Sequence, residues 1–320
     1  MCGLFGFTIY GNTHRNYNRL LNALAQGASE RGTHATGIAY NRAGHLAIYK
    51  RPLPAKRLCL NHREGVRVVM GHTRHTTQGS QKRNYNNHPF RASAGVDFAL
   101  AHNGIIYNDE ELRRAEHLPA SHIETDSYIL AQLLERFDHL DADTLAESVE
   151  KLSGYYTFTL VDSRDTLYIV KGESPLAIAR VAKLGLIVYA STQKILDDAL
   201  KTAGISSRDC EAIDIAEGEI LAISRDGKLT RSRFKMPARF DYLRLIYSDC
   251  YDFDDSHYFA TTSSAPATAG DGWREHYDDL CTIARYYGYT ADDIDELLDD
   301  GLTLDEIEEY FFDWEGGARC

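Results

Sequence analysis

The 320-residue chain is 43% hydrophobic and 26% charged, enough for a sizeable core; no apolar run approaches the ~20 residues that span a bilayer and the start has no signal-peptide pattern, so a cytoplasmic protein is expected. Six cysteines (Cys2, Cys59, Cys210, Cys250, Cys281, Cys320) fall without CxxC or Cys/His ligand spacing, which argues against a zinc site and against a disulfide framework. The net charge of −12 is unevenly spread, with 21 of 47 acidic residues but only 5 of 35 basic ones from Met236 onward: a near-neutral body carries a strongly acidic tail unsuited to nucleic acid.

In chain order, Leu4, Phe5, Phe7 and Ile9 with two glycines between them predict a buried strand that anchors the amino terminus. A helix follows over 17–29, with Leu20, Leu21, Leu24 and Ala28 on one stripe. Strands are predicted at 38–40 and 45–49, joined by a turn, then at 66–72 and 98–102, the last ending at Asn103-Gly104. Helices are expected over 108–115 and 126–136, the second capped by Thr125 or Asp126, and over 144–152. Short strands at 154–160, 167–171, 176–181, 186–190 and 219–224 complete a pattern of many antiparallel strands with a few inserted helices, unlike the βαβ alternation of a doubly wound sheet. Residues 261–270 have the composition of a linker. Beyond them, 291–298 and 304–311 predict two acidic amphipathic helices opened by Thr290 and Thr303.

Cys2 sits directly behind the initiator methionine. If Met1 is removed, one residue carries both a thiol and a free α-amine. The amine's reference pKa of about 7.7–8.0 lets it take the thiol proton near neutral pH. Taken singly, Arg74 reads as a surface ion-pair partner, Asn103-Gly104 as a hairpin turn and Asp126 as a helix cap. His72, His75, His88 and His102 lie in separate segments without ligand spacing, so no metal is expected.

Five segments in order, Cys2-Gly-Leu-Phe-Gly, Arg31-Gly…Gly37, Gly71-His-Thr-Arg74, His102-Asn103-Gly104 and Glu124-Thr-Asp126, resemble the glutaminase domain of class II glutamine amidotransferases, members of the N-terminal nucleophile hydrolases. The resemblance runs to about Phe234 and takes in Leu152-Ser-Gly154, Gly172-Glu-Ser-Pro175 and Glu217-Gly218. It implies an α+β fold, a four-layer αββα sandwich of two antiparallel sheets. It also implies roles: Cys2 as nucleophile, the Asn103 side chain and Gly104 N–H as oxyanion donors, Arg74 on the substrate's α-carboxylate, Asp126 on its ammonium, Thr77 as a further substrate-binding residue, and Arg31 near the substrate's nucleophile end, where it orders Cys2. The hexosamine-synthesising branch reads Arg-Trp-Ala-Thr-His-Gly where this chain has Arg74-His75-Thr76-Thr77-Gln78-Gly79, so Trp and His are replaced while Arg74 and Thr77 are kept.

The expected organisation is a glutaminase domain over 2–235, an irregular linker over 236–272 and an acidic helical tail over 273–320. Neither a pyrophosphatase loop nor a phosphoribosyl-transfer motif is found in the sequence. The expected function is hydrolysis of L-glutamine, without a cofactor, to supply ammonia to a separate synthase; the acidic tail reads equally as the docking element for that synthase and as a solubilising element. The alternatives are an amidohydrolase of the same fold acting on another γ-glutamyl substrate, and a non-catalytic binding subunit.

Overall fold

The computed structural model describes residues 2–11, 14–42, 44–236 and, further on, 277, 280, 281, 290, 291, 294, 295, 298 and 304. Most of the expected linker, the Thr303 cap and nearly all of the expected last helix lie outside the described residues. By its contacts the chain divides into units of Met1–Asp249 and Cys250–Cys320.

The first unit contains thirteen strands among its described residues: β1 (Gly3–Ile9), β2 (Ala35–Arg42), β3 (His45–Arg51), β4 (Val68–Arg74), β5 (Phe90–Ser93), β6 (Asp97–Ile106), β7 (Gly154–Asp162), β8 (Leu167–Lys171), β9 (Ala177–Val181), β10 (Leu186–Ala190), β11 (Glu211–Ala212), β12 (Glu219–Ile223) and β13 (Leu229–Arg233). Five α-helices accompany them: α1 (Asn18–Ala28), α2 (Asp109–Ala115), α3 (Tyr128–Leu134), α4 (Ala142–Val149) and α5 (Gln193–Thr202). The strands form two antiparallel sheets, ordered β11-β9-β10-β1-β4-β2-β3 and β13-β12-β8-β7-β6-β5.

Alternation along the strands builds the layers. In β1, Leu4 joins the core between the sheets, while Phe5, Phe7 and Ile9 point outward into a second core. There Leu20, Leu21, Leu24, Ala25 and Ala28 of α1 and Ile195, Leu196, Ala199 and Leu200 of α5 cover them. In β6, Ala99 and Ala101 face the inter-sheet core, whereas Phe98 and Leu100 face a third core under α2, α3 and α4. Each fully buried Phe or Leu contributes about 1.5–3 kcal/mol of burial, so each helix is held chiefly by the sheet it covers. The result is the αββα sandwich.

Several details differ from the sequence expectations, among them β5, β11 and β13, where no strand is expected. β6 does not end before Asn103-Gly104 but runs through both, because β7 pairs with it as far as Ile106. The N-cap of α3 is Ser127, not Thr125 or Asp126, and its side chain makes no capping bond. Helix α5 was not expected, although Thr192 caps it by accepting from Ile195 N. In the second unit, Thr290 precedes helical Ala291, Ile294, Asp295 and Leu298, and Leu280, Cys281, Ile294 and Leu304 form a buried cluster.

Candidate active site

The register of the ladders gathers the site at one end of the sandwich. Gly3 pairs with Thr73 and Leu4 with His72, so Cys2 emerges beside Arg74 at the end of β4. Val68 and Met70 face the inter-sheet core, and His72 and Arg74 continue that alternation. On the opposite sheet, Asn103 follows Ala99 and Ala101 onto the same inner face.

Cys2 is half-buried, and its thiol donates to the His75 carbonyl oxygen at 3.4 Å. Burial pushes the thiol pKa up, against the pull of the terminal ammonium, the His75 bond and Arg74. The thiol is therefore protonated at neutral pH, and any attack needs a base. Arg31 Nε donates to the Cys2 carbonyl oxygen at 3.0 Å and so fixes the residue's backbone. The adjoining position must be small: a Cβ on Gly3 would lie 2.6 Å from Thr73 Oγ1 and 2.8 Å from Ala28 O.

Arg74 is 2% exposed. Its Nη1 donates to Asn87 Oδ1 at 2.8 Å, and its Nη2 donates to the carbonyls of Gln78 and of Gly79, the latter at 3.1 Å. The guanidinium thus ties down the bend that follows β4. Thr77 lies exposed on that bend. In the same loop His75 stacks on His34 with ring centroids 5.0 Å apart, and His34 Nδ1 accepts from Thr76 N at 2.9 Å. A histidine pair therefore braces the loop where the hexosamine branch carries Trp.

Asp126 is 3% exposed; its Oδ2 accepts from Ile106 N at 2.7 Å, and its Oδ1 accepts from Ser127 Oγ at 3.1 Å. Burial raises its pKa, and these donors together with Arg74 oppose the rise. Arg74 and Asp126 both act electrostatically on Cys2, which places a cation and a carboxylate around the thiol.

Asn103 is 1% exposed, and its Nδ2 has no hydrogen-bond partner. A buried amide N–H₂ without an acceptor costs about 1–3 kcal/mol, so a fold that retains one holds a donor in reserve. Gly104 follows at φ +139°, and a Cβ there would lie 1.7 Å from Tyr155 O. Only glycine lets β6 approach β7 at this point.

His72, His88 and His102 also meet at this end, with ring centroids 4.2 Å apart for the first pair and 6.5 Å for His88 and His102. Among the described residues, no group of three or more His, Cys, Asp or Glu could hold a metal. Burial lowers the pKa of His72 and His102 to about 3 and that of His88 well below its ordinary value. These histidines are neutral core residues, and sequence spacing gave no sign that they would meet.

A folded-state pKa below the unfolded value means stability is full above about pH 6.5 and is lost as pH falls toward 3. Each of His72 and His102 removes about 1.4 kcal/mol per pH unit within that window. The raised pKa of Asp126 acts in the opposite direction. Urea unfolding at pH 7.5 and pH 5 is expected to show a loss of roughly 2 kcal/mol per histidine, and His72→Asn is expected to flatten the slope. A pH-independent midpoint would exclude this account.

Comparisons with known proteins bear on the family and the fold. A family profile described as "Glutamine amidotransferase domain" matches residues 72–198. The glutamine–fructose-6-phosphate aminotransferase (isomerizing) of Staphylococcus aureus is 29% identical over 243 residues, covering 72% of this chain and 38% of that protein. Its Staphylococcus epidermidis counterpart is 31% identical over 237 residues, 71% of this chain and 36% of that protein. The chain therefore spans little more than a third of the length of these curated relatives. Among solved structures, the glutamine phosphoribosylpyrophosphate amidotransferase of B. subtilis superposes with a TM-score of 0.58 at 21% identity, over 74% of this chain and 50% of that one. A structure described as the allosteric regulatory enzyme of purine biosynthesis gives 0.59 at 22%, with the same coverage.

The sandwich is thus that of the amidotransferases built on the N-terminal nucleophile fold. With the sequence matches, the chain belongs to the class II glutamine amidotransferases, a family of enzymes, and carries their glutamine amidotransferase domain.

Proposed function

We propose that this protein hydrolyses L-glutamine to glutamate and ammonia through a thioester on Cys2 once Met1 is removed, and passes the ammonia to a separate synthase. The observation that carries the reading is the buried, unpartnered Nδ2 of Asn103 on the inner face of the six-stranded sheet, opposite the sheet that bears Arg74. An oxyanion formed at the substrate amide would supply the missing acceptor.

In this mechanism the freed Cys2 amine removes the thiol proton, and sulfur attacks the side-chain amide carbon of glutamine. Asn103 Nδ2 and the Gly104 N–H receive the oxyanion. The Cys2 ammonium so formed gives its proton to the amide nitrogen, collapse expels that nitrogen as ammonia, and water then cleaves the thioester to release glutamate and restore the thiol. Arg74 offers its planar fork to the substrate's α-carboxylate, with Thr77 swinging in from the bend, and Asp126 receives the α-ammonium. Arg31 holds the Cys2 carbonyl so that the nucleophile does not fray. The acceptor synthase would dock through the acidic tail, whose charge suits a basic surface.

The test is release of glutamate and ammonia from glutamine by the purified protein, with intact mass recorded to establish whether Met1 is absent. Activity should vanish in Cys2→Ala. Equal activity in the variant, or preference for another γ-glutamyl compound over glutamine, would overturn the proposal.

A further inference from the structure

Ser127 stands at the N-cap of α3, where a serine ordinarily turns its hydroxyl onto the first helical amides, yet it makes no such bond. It is 1% exposed, and its Oγ lies between two groups: it donates to Asp126 Oδ1 at 3.1 Å and sits 2.7 Å from His102 Nδ1. A carboxylate only accepts and a hydroxyl has one proton. With that proton on Asp126, Ser127 accepts from the imidazole, an arrangement that requires the His102 proton on Nδ1 and not toward the Tyr155 backbone, the ring's other hydrogen-bond partner. The ring is held for this by stacking on Phe158, at 4.5 Å and 17°, while the His102 carbonyl oxygen lies 2.9 Å from His72 Nε2. Burial keeps His102 neutral, so the imidazole adds no charge to the chain that runs through Ser127 to Asp126.

We propose that His102 and Ser127 are positioning residues for the glutamine site: their hydrogen-bonded chain keeps Asp126 ionised and aims it at the α-ammonium of the substrate. The inference rests on Asp126 receiving that ammonium. Besides the Ser127 hydroxyl, the backbone N–H groups of Ile106 and Ser127 and the Arg74 guanidinium favour the carboxylate against the burial that raises its pKa. Arg74 faces it from β4, but the Cys2 thiol and Asp109 of α2 are also within electrostatic reach, and Asp109 opposes ionisation. Its Oδ2 accepts from the Ile106 backbone N–H at 2.7 Å, and its Oδ1 takes the Ser127 hydroxyl at 3.1 Å.

The experiment compares the full chain with its Ser127→Ala, Ser127→Thr and Asp126→Asn variants, reading kcat, KM and the acid limb of kcat/KM for glutamine. Glutaramate, which lacks the α-amine, is the control substrate. Ser127→Ala is expected to raise KM for glutamine by ~10-fold, the value of one charge-assisted hydrogen bond. It should also move the acid limb to higher pH, because a carboxylate that loses a donor protonates sooner. Turnover of glutaramate should be unaffected, and Ser127→Thr should restore the wild-type behaviour. If Asp126→Asn loses glutamine affinity while Ser127→Ala keeps both KM and the acid limb, the chain has no such role and the proposed function stands. If Ser127→Ala lowers both substrates equally, Ser127 is merely structural. A wild-type KM in Asp126→Asn would overturn the assignment of Asp126 and this inference with it.

Discussion

Replacing Asn103 by alanine is expected to lower kcat for glutamine hydrolysis by about 10²–10³, with KM and stability close to wild type. The two halves of this expectation have different origins. The kinetic half follows from differential binding, since a planar substrate amide gives Nδ2 less to bond than a tetrahedral oxyanion does. The stability half follows from the unpartnered state of Nδ2. Truncation discards a buried donor already unsatisfied in the folded protein, a gain of about 1–3 kcal/mol that offsets the lost packing of a side chain at 1% exposure. An asparagine buried for structural reasons would behave oppositely, losing stability first and activity only through unfolding. Asn103→Asp gives a second reading of the same point, because a carboxylate facing a forming oxyanion repels it. Urea unfolding beside steady-state kinetics separates the cases. Unchanged kcat would remove Asn103 from the mechanism, and a stability loss above about 3 kcal/mol would make it a core residue.

The sequence was most legible where local pattern and burial coincide. The alternation in β1 and the leucine stripe of α1 each name the face that packs, and both elements form within two residues of expectation. It was least legible where pairing across the sheet overrides local chemistry. Asn103-Gly104 has the composition of a turn, but nine consecutive pairs between β6 and β7 keep it extended. The cap of α3 differs for a related reason: the Asp126 carboxylate is turned toward Ile106 N, a residue twenty positions earlier, and the Ser127 hydroxyl, and the helix begins one residue later than a cap at Asp126 would give. Helix α5 carried a readable signal in Thr192 and the spacing of Ile195, Leu196, Ala199 and Leu200, but the short strands before it favoured a continuing β pattern. Within the site, the residue types were visible in the motifs. Their mutual bonds were not, because the His102–Ser127–Asp126 chain and the triad of buried histidines depend on register between distant strands.

Arg74→Lys is expected to be the most damaging conservative change at the site. The guanidinium reaches Asn87 Oδ1 and the carbonyls of Gln78 and Gly79 from two separate nitrogens, and its remaining N–H groups are those available to a substrate carboxylate. A lysine ammonium has three donors radiating from one point and cannot serve the bend and a carboxylate together. If it keeps the bend, glutamine loses a bidentate partner. If it turns to the substrate, the half-buried carbonyls of Gln78 and Gly79 lose their donor at about 1 kcal/mol each, and residues 77–79 loosen. Either way KM for glutamine should rise by roughly 100-fold, with a fall in urea stability of about 1–3 kcal/mol. An amide lacking the α-carboxylate, such as 4-aminobutanamide, separates the two functions of Arg74. A variant that loses glutamine but treats this amide as the wild type does has lost only the carboxylate fork. A variant that loses both equally has lost the loop, and Arg74 would then act as a brace for the bend instead of as the partner of the substrate.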